Sequence, residues 1–265
     1  MPELPEVETV VRQLQERIAG KTVIRLTIDD PKVVDNRIIP LIPFQIRSFS
    51  RRGKSIIILL NKPYSLLAHL RMTGHFYHVT NEDEEQASSK YRVATFYLDD
   101  GTKLTHNSIR KFGRITLMTP KQLESSLAKL GPEPLGITKS EFVALLDRYA
   151  RAVIKSKLLD QSFLAGIGNI YAQEALYHAG IPPTAKINKI SKAKKEKLFL
   201  HLQRTLNLAI ENNGTTINNF SHIDGKGSFQ DFLAVYQKQH CPKKHPLRKD
   251  TIGGRGTYYC PRCQQ

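Results

Sequence analysis

The sequence has few cysteines and no long apolar run. Its three cysteines, Cys241, Cys260 and Cys263, all lie within the last 25 of the 265 residues. A local metal site in a reducing compartment explains this clustering better than a disulfide framework does. No stretch reaches the roughly 18–20 apolar residues of a membrane helix, and the glutamate-rich start lacks a signal-peptide pattern. We therefore expect a cytoplasmic protein without a membrane partner.

Acidic residues are also scarce relative to basic ones. The chain has 40 Lys and Arg against 24 Asp and Glu, a net charge of +16 and a pI of about 9.8. Residues 184–265 alone hold fifteen Lys or Arg and five Asp or Glu. This balance favours a nucleic-acid partner, although a membrane surface or an acidic protein would also suit it.

Periodicity and turn residues divide the chain into parts. Apolar residues from Val7 to Ile18 follow helical spacing, and the strand-like segments after them predict a β-rich domain over residues 1–130. Within it, residues 81–90 are polar throughout and are predicted to form a loop. Prolines and glycines at 131–136 predict a linker. A helical domain over 137–222 and a metal-binding segment over 235–265 complete the predicted organisation.

The first residues carry a candidate nucleophile. Once Met1 is removed, Pro2 has a secondary amine at the chain terminus, and a free α-amino group has a pKa of roughly 8. Such an amine can attack an electrophilic carbon and form an iminium, as a Schiff-base lysine does. Glu3 and Glu6 lie close by in sequence and can move protons. The alternative is an ordinary helix start, in which acidic residues complement the helix dipole.

A glycine-rich turn joins two helices of the predicted helical domain. Gly166 and Gly168 allow the backbone to approach a ligand closely, and the helix that follows presents unpaired N–H groups suited to phosphate. Asn169 adds an amide donor and Lys155 adds a charge. Tight packing alone would also explain these glycines.

The three cysteines predict a zinc site. Cys260 and Cys263 have the spacing of a zinc knuckle, whereas the first half of the site contributes only Cys241. His245 has workable spacing for the fourth ligand, and His240 is the alternative. Between the two halves, Arg255 stands among glycines at a predicted hairpin tip, from which it can reach a groove or a phosphate.

Three short basic stretches stand out in the first domain. Lys54 ends a basic turn, Met72 follows a predicted strand that ends near His69, and the segment 110–113 places Phe112 beside Arg110. Apolar side chains flanked by cations serve to unstack a duplex and to fill the space left by a flipped base. A methionine or phenylalanine in a loop also commonly plugs the core.

Together these stretches resemble the bacterial formamidopyrimidine-DNA glycosylases, base-excision repair enzymes of the Fpg/Nei family. The matching segments run in family order from Pro2 to Cys263 and cover both domains: PELPEVET, SRRGK, HLRMTG, RKFG, GPEPL, LLDQSFLAGIGNIYAQEAL and GRGTYYCPRCQ. The resemblance implies an α+β multidomain fold. A β-sandwich led by an α-helix comes first, a helical helix-two-turn-helix domain follows, and a β-hairpin zinc finger ends the chain.

The resemblance also implies a reaction on duplex DNA that contains oxidised bases or abasic sites. The damaged nucleotide is flipped out, Pro2 attacks the sugar C1′, and Glu3 acts as general acid at the sugar ring oxygen. The Schiff base then undergoes β- and δ-elimination, which leaves a gapped strand. We expect a monomeric DNA glycosylase/AP lyase for oxidised purines, namely formamidopyrimidines and 8-oxoguanine.

Residue roles follow from the matched motifs. Lys54 and Glu6 join Pro2 and Glu3 as catalytic candidates. By similarity Lys54 also holds a phosphate, as do the DNA-binding residues His69, Lys155, Asn169 and Arg255. Met72, Arg110 and Phe112 match the family trio that fills the void in the duplex and contacts the orphaned base.

The chain departs from the family pattern at two places. Ser108 stands where the family usually has an aspartate, which leaves the preference for the opposite base open. Lys244 stands at the usual second cysteine of the finger, in a loop one residue shorter. We therefore predict one structural zinc ion held by Cys241, His245, Cys260 and Cys263. Alternatives are an endonuclease VIII-like glycosylase for oxidised pyrimidines and a non-catalytic protein that binds damaged DNA.

Overall fold

The computed structural model describes residues 1–216, 223 and 225–265. The predicted end of the helical domain, 217–222, lies outside the described residues. By its internal contacts the chain forms two compact units. The first comprises Met1–Lys129 with Asn213–Ser228, and the second comprises Leu130–Asn212 with Phe229–Gln265.

The first unit begins with helix α1, Leu4–Ile18. Glu3 is its N-cap in a capping box with Glu6, and Pro5 stands in the first turn, where its missing N–H costs no hydrogen bond. The apolar face of the helix is buried from Leu4 to Ile18. Helix α1 packs against two strands of the sheet that follows.

Eight antiparallel strands form the sheet of this unit in the order β5-β7-β6-β1-β2-β3-β4-β8. The strands are β1 Thr22–Ile28, β2 Phe44–Arg52, β3 Ser55–Leu60, β4 Ser65–His69, β5 Gly74–Val79, β6 Arg92–Leu98, β7 Lys103–Ser108 and β8 Arg114–Met118. Strands β1 and β2 pair at only two positions, Thr22 with Gln45 and Val23 with Phe44. The sheet therefore divides there into two halves of four strands.

Apolar side chains from both halves and from α1 form one buried core, which includes Leu14, Val23, Phe44, Ile58 and Phe96. Because the two halves share this core, the unit is a β-sandwich led by a helix, as expected. The Asp99-Asp100-Gly101 turn joins β6 to β7, and Gly101 adopts a φ of 85°.

The prediction of a loop over residues 81–90 was wrong, because helix α2 spans Glu82–Ser89. Asn81 caps the helix by accepting the Glu84 N–H at 2.9 Å. The first turn holds Glu82, Asp83, Glu84 and Glu85, which complement the positive end of the helix dipole. Only Ser88 is buried, so the segment has no apolar periodicity to reveal a helix. A further short helix, α3 Pro120–Leu127, follows the last strand.

The second unit contains four helices among its described residues: α4 Lys139–Asp147, α5 Ile154–Leu158, α6 Asn169–Ala179 and α7 Lys192–Glu211. A capping box of Thr138 and Glu141 opens α4. Short 3₁₀ turns span Ile187–Lys189 and Phe229–Phe232. The helices enclose a core that includes Phe142, Leu158, Tyr171, Leu198 and Leu202.

The hairpin at the end of the chain pairs β9 Arg248–Ile252 with β10 Arg255–Tyr259. Gly253 and Gly254 form its two-residue turn with φ of 59° and 71°, values that favour glycine. Arg255 is therefore the first residue of β10, beside the turn, and is exposed. Within the described ranges, no helix has the length and apolarity needed to cross a membrane.

Candidate active site and metal centre

The first residues of the chain are held by a buried carboxylate. Pro2 and Glu3 are buried, and the Glu6 side chain is 2% exposed. One Glu6 oxygen accepts the Glu3 backbone N–H at 2.7 Å, and the other accepts the Thr215 backbone N–H at 2.8 Å. Glu6 therefore fixes the residue beside Pro2 and joins it to the segment at 213–216.

Gly214 allows that segment to approach Glu6. Its φ is 74°, and a Cβ built at this position would lie 2.9 Å from both Cγ and Oε1 of Glu6. Any larger residue would combine a strained backbone with a clash, so glycine is required for the contact.

An ion pair fixes α1 against the basic turn that precedes β3. Arg51 Nε lies 2.9 Å from Glu8 Oε2, and an Arg51 Nη donates to the Gly53 carbonyl at 3.0 Å. Glu8 lies in the second turn of α1, so the pair ties the helix start to the 51–54 turn. Lys54, the last residue of this turn, is 7% exposed.

His69 lies beside this turn, because its neighbour across the sheet is Ser55. Burial, together with the positive charges of Arg71 and Lys54, lowers the pKa of His69 to about 4. The ring is therefore neutral near pH 7. Its Nδ1 accepts the Arg71 backbone N–H at 3.1 Å, which assigns the ring proton to Nε2. His69 can thus donate one neutral hydrogen bond.

The predicted trio comes together at the surface of the first unit. An Arg110 Nη donates to Met72 Sδ at 3.1 Å, and the guanidinium carbon lies 4.8 Å from the Phe112 ring centroid. Met72 is 42% exposed and Phe112 is 54% exposed, so neither plugs the core. The Arg110 backbone N–H donates to Thr73 Oγ1 at 2.9 Å, which joins the two loops.

Each loop contains a residue in the left-handed region that is not glycine, Arg71 with φ 55° and Lys111 with φ 52°. Such conformations persist only where the surroundings hold them, and they occur often at functional sites. Gly113 supplies part of that support, because a Cβ there would lie 3.0 Å from the His69 carbonyl oxygen. The two loops are therefore closely packed.

Ser108 gives Arg110 no carboxylate partner. It ends β7, its backbone N–H donates to the Tyr91 carbonyl at 2.9 Å, and its buried Oγ makes no hydrogen bond with the described residues. Among the described residues, Arg110 is instead held by Met72, Phe112 and Thr73.

The glycine-rich turn of the second unit is organised by one side-chain amide. Gln161 Nε2 donates to the Leu159 and Ile167 carbonyls at 3.0 and 2.8 Å, and its Oε1 accepts the Gly166 N–H at 3.0 Å. Gly166 adopts a φ of 91°. This arrangement sets the start of α6 at Asn169.

Lys155 is fully buried. Its Nζ donates to Asn169 Oδ1 and to Thr257 Oγ1, each at 2.7 Å. Asn169 Nδ2 in turn donates to the Gly256 carbonyl at 3.0 Å. Lys155 therefore joins the start of α6 to the β-hairpin that carries Arg255.

Two residues that sequence reasoning missed hold the end of the chain on α6. Gln173 Oε1 accepts the Tyr258 N–H at 2.5 Å, and its Nε2 donates to the Asn169 and Gly256 carbonyls at 2.6 and 3.5 Å. Glu174 accepts backbone N–H groups of residues 234–236 at 2.7–3.0 Å. Gln173 and Glu174 are adjacent polar residues among the apolar residues of a buried helix. Since buried polar groups need hydrogen-bond partners, this pair is the feature that would have indicated such contacts.

The metal-binding residues converge within the second unit. Ligand atoms of Cys241, His245, Cys260 and Cys263 all lie within 4.8 Å of one another. His245 Nδ1 lies 3.3 Å from Cys263 Sγ and 3.7 Å from Cys260 Sγ. Tetrahedral zinc, with Zn–S of about 2.3 Å and Zn–N of about 2.0 Å, would set a nitrogen and a sulfur about 3.5 Å apart.

The turn at 241–245 explains how histidine fits this cluster. The Cys241 N–H donates to the His245 carbonyl at 3.0 Å, and the Lys244 N–H donates to the Cys241 carbonyl at 2.8 Å. Lys244 adopts a left-handed φ of 60°. This tight turn brings the His245 ring to the cysteines and leaves Lys244 exposed.

Taken together, the helix-led sandwich, the helical unit and the zinc-finger hairpin define a class of DNA-repair protein. Three family profiles match the sequence. They are described as the formamidopyrimidine-DNA glycosylase N-terminal domain over residues 1–115, its H2TH domain over 130–221, and the zinc finger found in FPG and IleRS over 244–265. The chain belongs to the formamidopyrimidine-DNA glycosylase family.

Full-length relatives agree with this assignment. The chain is 38% identical to the formamidopyrimidine-DNA glycosylase of Shouchella clausii, over 100% of this chain and 99% of that protein. It is 36% identical to that of Streptococcus mutans, over 100% of both chains.

Among solved structures, a mutant of the Lactococcus lactis FPG bound to DNA containing Fapy-dG has a TM-score of 0.90, with 33% identity and complete coverage of both chains. The same enzyme bound to DNA containing an abasic site has a TM-score of 0.90, with 32% identity over 99% of each chain. The finger profile and the four clustered ligands support one structural zinc ion in this chain.

The ligand set can be tested by metal analysis. Purified protein should contain one zinc per chain, and His245→Ala should lose most of it because three thiolates leave the tetrahedral site incomplete. His245→Cys should retain zinc, and His240→Ala serves as the matched histidine control. Equal zinc loss from His240→Ala and His245→Ala would refute this ligand assignment.

The role of Gln173 can be tested by hydrogen exchange. Gln173→Ala leaves the Tyr258 N–H without its side-chain acceptor, a loss of about 1–3 kcal/mol for a buried group. The Tyr258 amide should therefore exchange roughly tenfold to a hundredfold faster. The control is Gln203→Ala, which removes a 3.3 Å bond to the Pro134 carbonyl. An unchanged Tyr258 exchange rate in Gln173→Ala would show that the hairpin is held by other contacts.

Proposed function

We propose that this chain is a bifunctional DNA glycosylase and AP lyase that excises oxidised purines, formamidopyrimidines and 8-oxoguanine, from duplex DNA. The observation that carries the proposal is the buried network in which Glu6 holds the Pro2-Glu3 start. A nucleophile at the chain terminus is otherwise subject to fraying. The formamidopyrimidine-DNA glycosylase of Shouchella clausii and the Lactococcus lactis FPG complex with Fapy-dG DNA support the same proposal.

The reaction begins once Met1 has been removed and the damaged nucleotide is flipped out of the duplex. The Pro2 nitrogen attacks the sugar C1′, and the bond from C1′ to the damaged base breaks. Glu3 acts as general acid at the sugar ring oxygen, so that the ring opens to an iminium between Pro2 and C1′. Glu6 accepts the Glu3 N–H and thereby positions these two residues.

The iminium then drives strand cleavage. It acidifies the hydrogens on the neighbouring sugar carbon, so β-elimination expels the 3′ phosphate and δ-elimination expels the 5′ phosphate. Hydrolysis of the remaining Schiff base regenerates the Pro2 amine. The strand is left with a one-nucleotide gap.

Residues at the surface of the first unit contact the distorted duplex. Met72, Arg110 and Phe112 are exposed and in mutual contact, so they can enter the space that the flipped nucleotide leaves. Lys54 and His69 hold phosphates near the lesion. Because His69 is neutral with its proton on Nε2, we assign it one hydrogen bond to phosphate without a charge.

In the second unit, Asn169 and Arg255 contact phosphates, and Lys155 positions both. A fully buried Lys155 that donates to Asn169 and Thr257 supports a positioning role over direct phosphate contact. The Cys241, His245, Cys260 and Cys263 zinc site maintains the hairpin that carries Arg255. Zinc supplies structure there and takes no part in the reaction.

We further propose that a domain over residues 1–130 contains the catalytic residues. Domains over 137–222 and 235–265 bind DNA, and residues 131–136 form the linker. The basic charge and the DNA-repair family support action at the nucleoid in the cytoplasm of a bacterium.

Borohydride trapping tests the nucleophile. With an 8-oxoguanine duplex, the processed protein should form a covalent complex because borohydride reduces the Pro2 iminium. Pro2→Gly and protein that retains Met1 should lose most of this trapping. The matched control is Pro120→Gly, an exposed proline at the start of α3 that should trap normally. Undiminished trapping by Pro2→Gly would refute the assignment.

An excision assay over a lesion panel tests the substrate class. One specific observation favours a second class, since the Lactococcus lactis FPG has also been solved with DNA containing an oxidised pyrimidine. Each lesion is paired in turn with each of the four normal bases on the opposite strand. We expect faster excision of 8-oxoguanine and formamidopyrimidines than of oxidised pyrimidines. Preferential excision of oxidised pyrimidines would instead indicate an endonuclease VIII-like enzyme, and binding without excision would indicate a non-catalytic protein.

A further inference from the structure

A cleft lies within the second unit, between α6, α7 and the 3₁₀ turn Phe229–Phe232. Its volume is about 330 Å³, within the range of small-ligand sites. Its lining combines imidazole, guanidinium, hydroxyl and aromatic groups: Glu174, His178, His201, Arg204, Thr205, Leu208, Phe229 and Phe232. None of these residues has a role in the glycosylase reaction described above.

Among the described residues, none accepts a hydrogen bond from the basic groups of the cleft or pairs with them as a carboxylate. The His178 and His201 rings stack with centroids 5.6 Å apart at 24°. Across the part of the chain that the structure describes, His178, His201 and Arg204 make no hydrogen bond or ion pair. Lys197 adds a further exposed cation on α7, one turn before His201. Three adjacent nitrogen groups without acceptors favour an anion.

Glu174 does not neutralise this charge. Its two carboxylate oxygens accept the backbone N–H groups of Ala234, Val235 and Tyr236. Because these bonds occupy the carboxylate, the nitrogen groups of the cleft remain available to a ligand. Arg204 can bind a phosphate with two parallel hydrogen bonds. Burial and the neighbouring cations lower the pKa of His178 and His201, so each ring is neutral and can add one N–H donor.

The opposite wall of the cleft is aromatic. Phe229 is almost fully buried and stacks on Phe232 with centroids 6.1 Å apart at 23°. Phe232 is 50% exposed and therefore presents a supported ring face. Such a face suits a planar base, because stacking on an aromatic side chain is tolerant of base identity.

We propose that this cleft binds a nucleotide, with the phosphate on Arg204, His201 and His178 and the base stacked on Phe232. The site is separate from the phosphate site proposed at the start of α6. His178 is nine residues beyond Asn169 on that helix, a distance of roughly 13 Å along its axis. The ligand is either a free nucleotide or the phosphorylated end of a DNA strand, which present the same groups.

The test is a titration of the zinc-loaded protein, from which Met1 has been removed, with deoxyguanosine monophosphate. Calorimetry measures the affinity, and the histidine ring signals in NMR spectra report which rings the nucleotide contacts. We expect binding of the nucleotide, with shifts of the His178 and His201 signals, and much weaker binding of deoxyguanosine or inorganic phosphate alone. A 5′-phosphorylated dinucleotide distinguishes the sources, because tighter binding of the dinucleotide indicates a strand end.

Variants locate the site. Arg204→Gln and Phe232→Ala should each weaken nucleotide binding about tenfold or more, while lesion excision stays unchanged because neither residue belongs to the catalytic or DNA-binding groups. The matched control is Lys192→Gln, an exposed cation at the start of the same helix. The proposal is overturned if the nucleotide binds no better than deoxyguanosine, or if Lys192→Gln weakens binding as much as Arg204→Gln. Unchanged zinc content and melting temperature confirm that the variants are folded.

Discussion

The proposed chemistry depends on one buried carboxylate, that of Glu6. A nucleophile at the end of a chain is mobile unless something fixes it, and here Glu6 accepts the N–H of the residue that follows Pro2. The same carboxylate accepts the Thr215 N–H, a contact that Gly214 makes sterically possible. Because both oxygens accept backbone donors within the first unit, the position of the proposed nucleophile depends on a segment more than 200 residues away in sequence.

Helix α6 has a comparable role in the second unit. Its first residue, Asn169, lies in the proposed phosphate site, and Gln173 and Glu174 one turn later hold the hairpin and the segment that leads to it. Lys155 adds a buried connection between Asn169 and the hairpin. Hydrogen bonds from side chains to backbone groups therefore hold the hairpin that carries Arg255. The zinc site, where ligand atoms of Cys241, His245, Cys260 and Cys263 converge, lies at the ends of the same hairpin segment.

Much of this arrangement could be predicted from the sequence. Helix α1 has a local apolar periodicity, and the zinc knuckle has a local cysteine spacing. The loops that carry Met72, Arg110 and Phe112 match family motifs. Helix α2 could not, since a helix that is polar all round has no apolar period. Lys155 was predicted from its charge to contact phosphate, whereas the fold buries it. Gln173 was missed because its contacts with the hairpin are to backbone groups over 80 residues away. Every residue has such backbone groups, so the sequence does not indicate which of them a side chain binds.

We propose that the α-amine of Pro2 forms the covalent bond to damaged DNA. Peptide mapping by mass spectrometry of the borohydride-reduced complex with an 8-oxoguanine duplex locates this bond. We expect one adduct, on the peptide that begins with Pro2 and lacks Met1. An adduct on a lysine such as Lys54, or on a peptide that retains Met1, would contradict it.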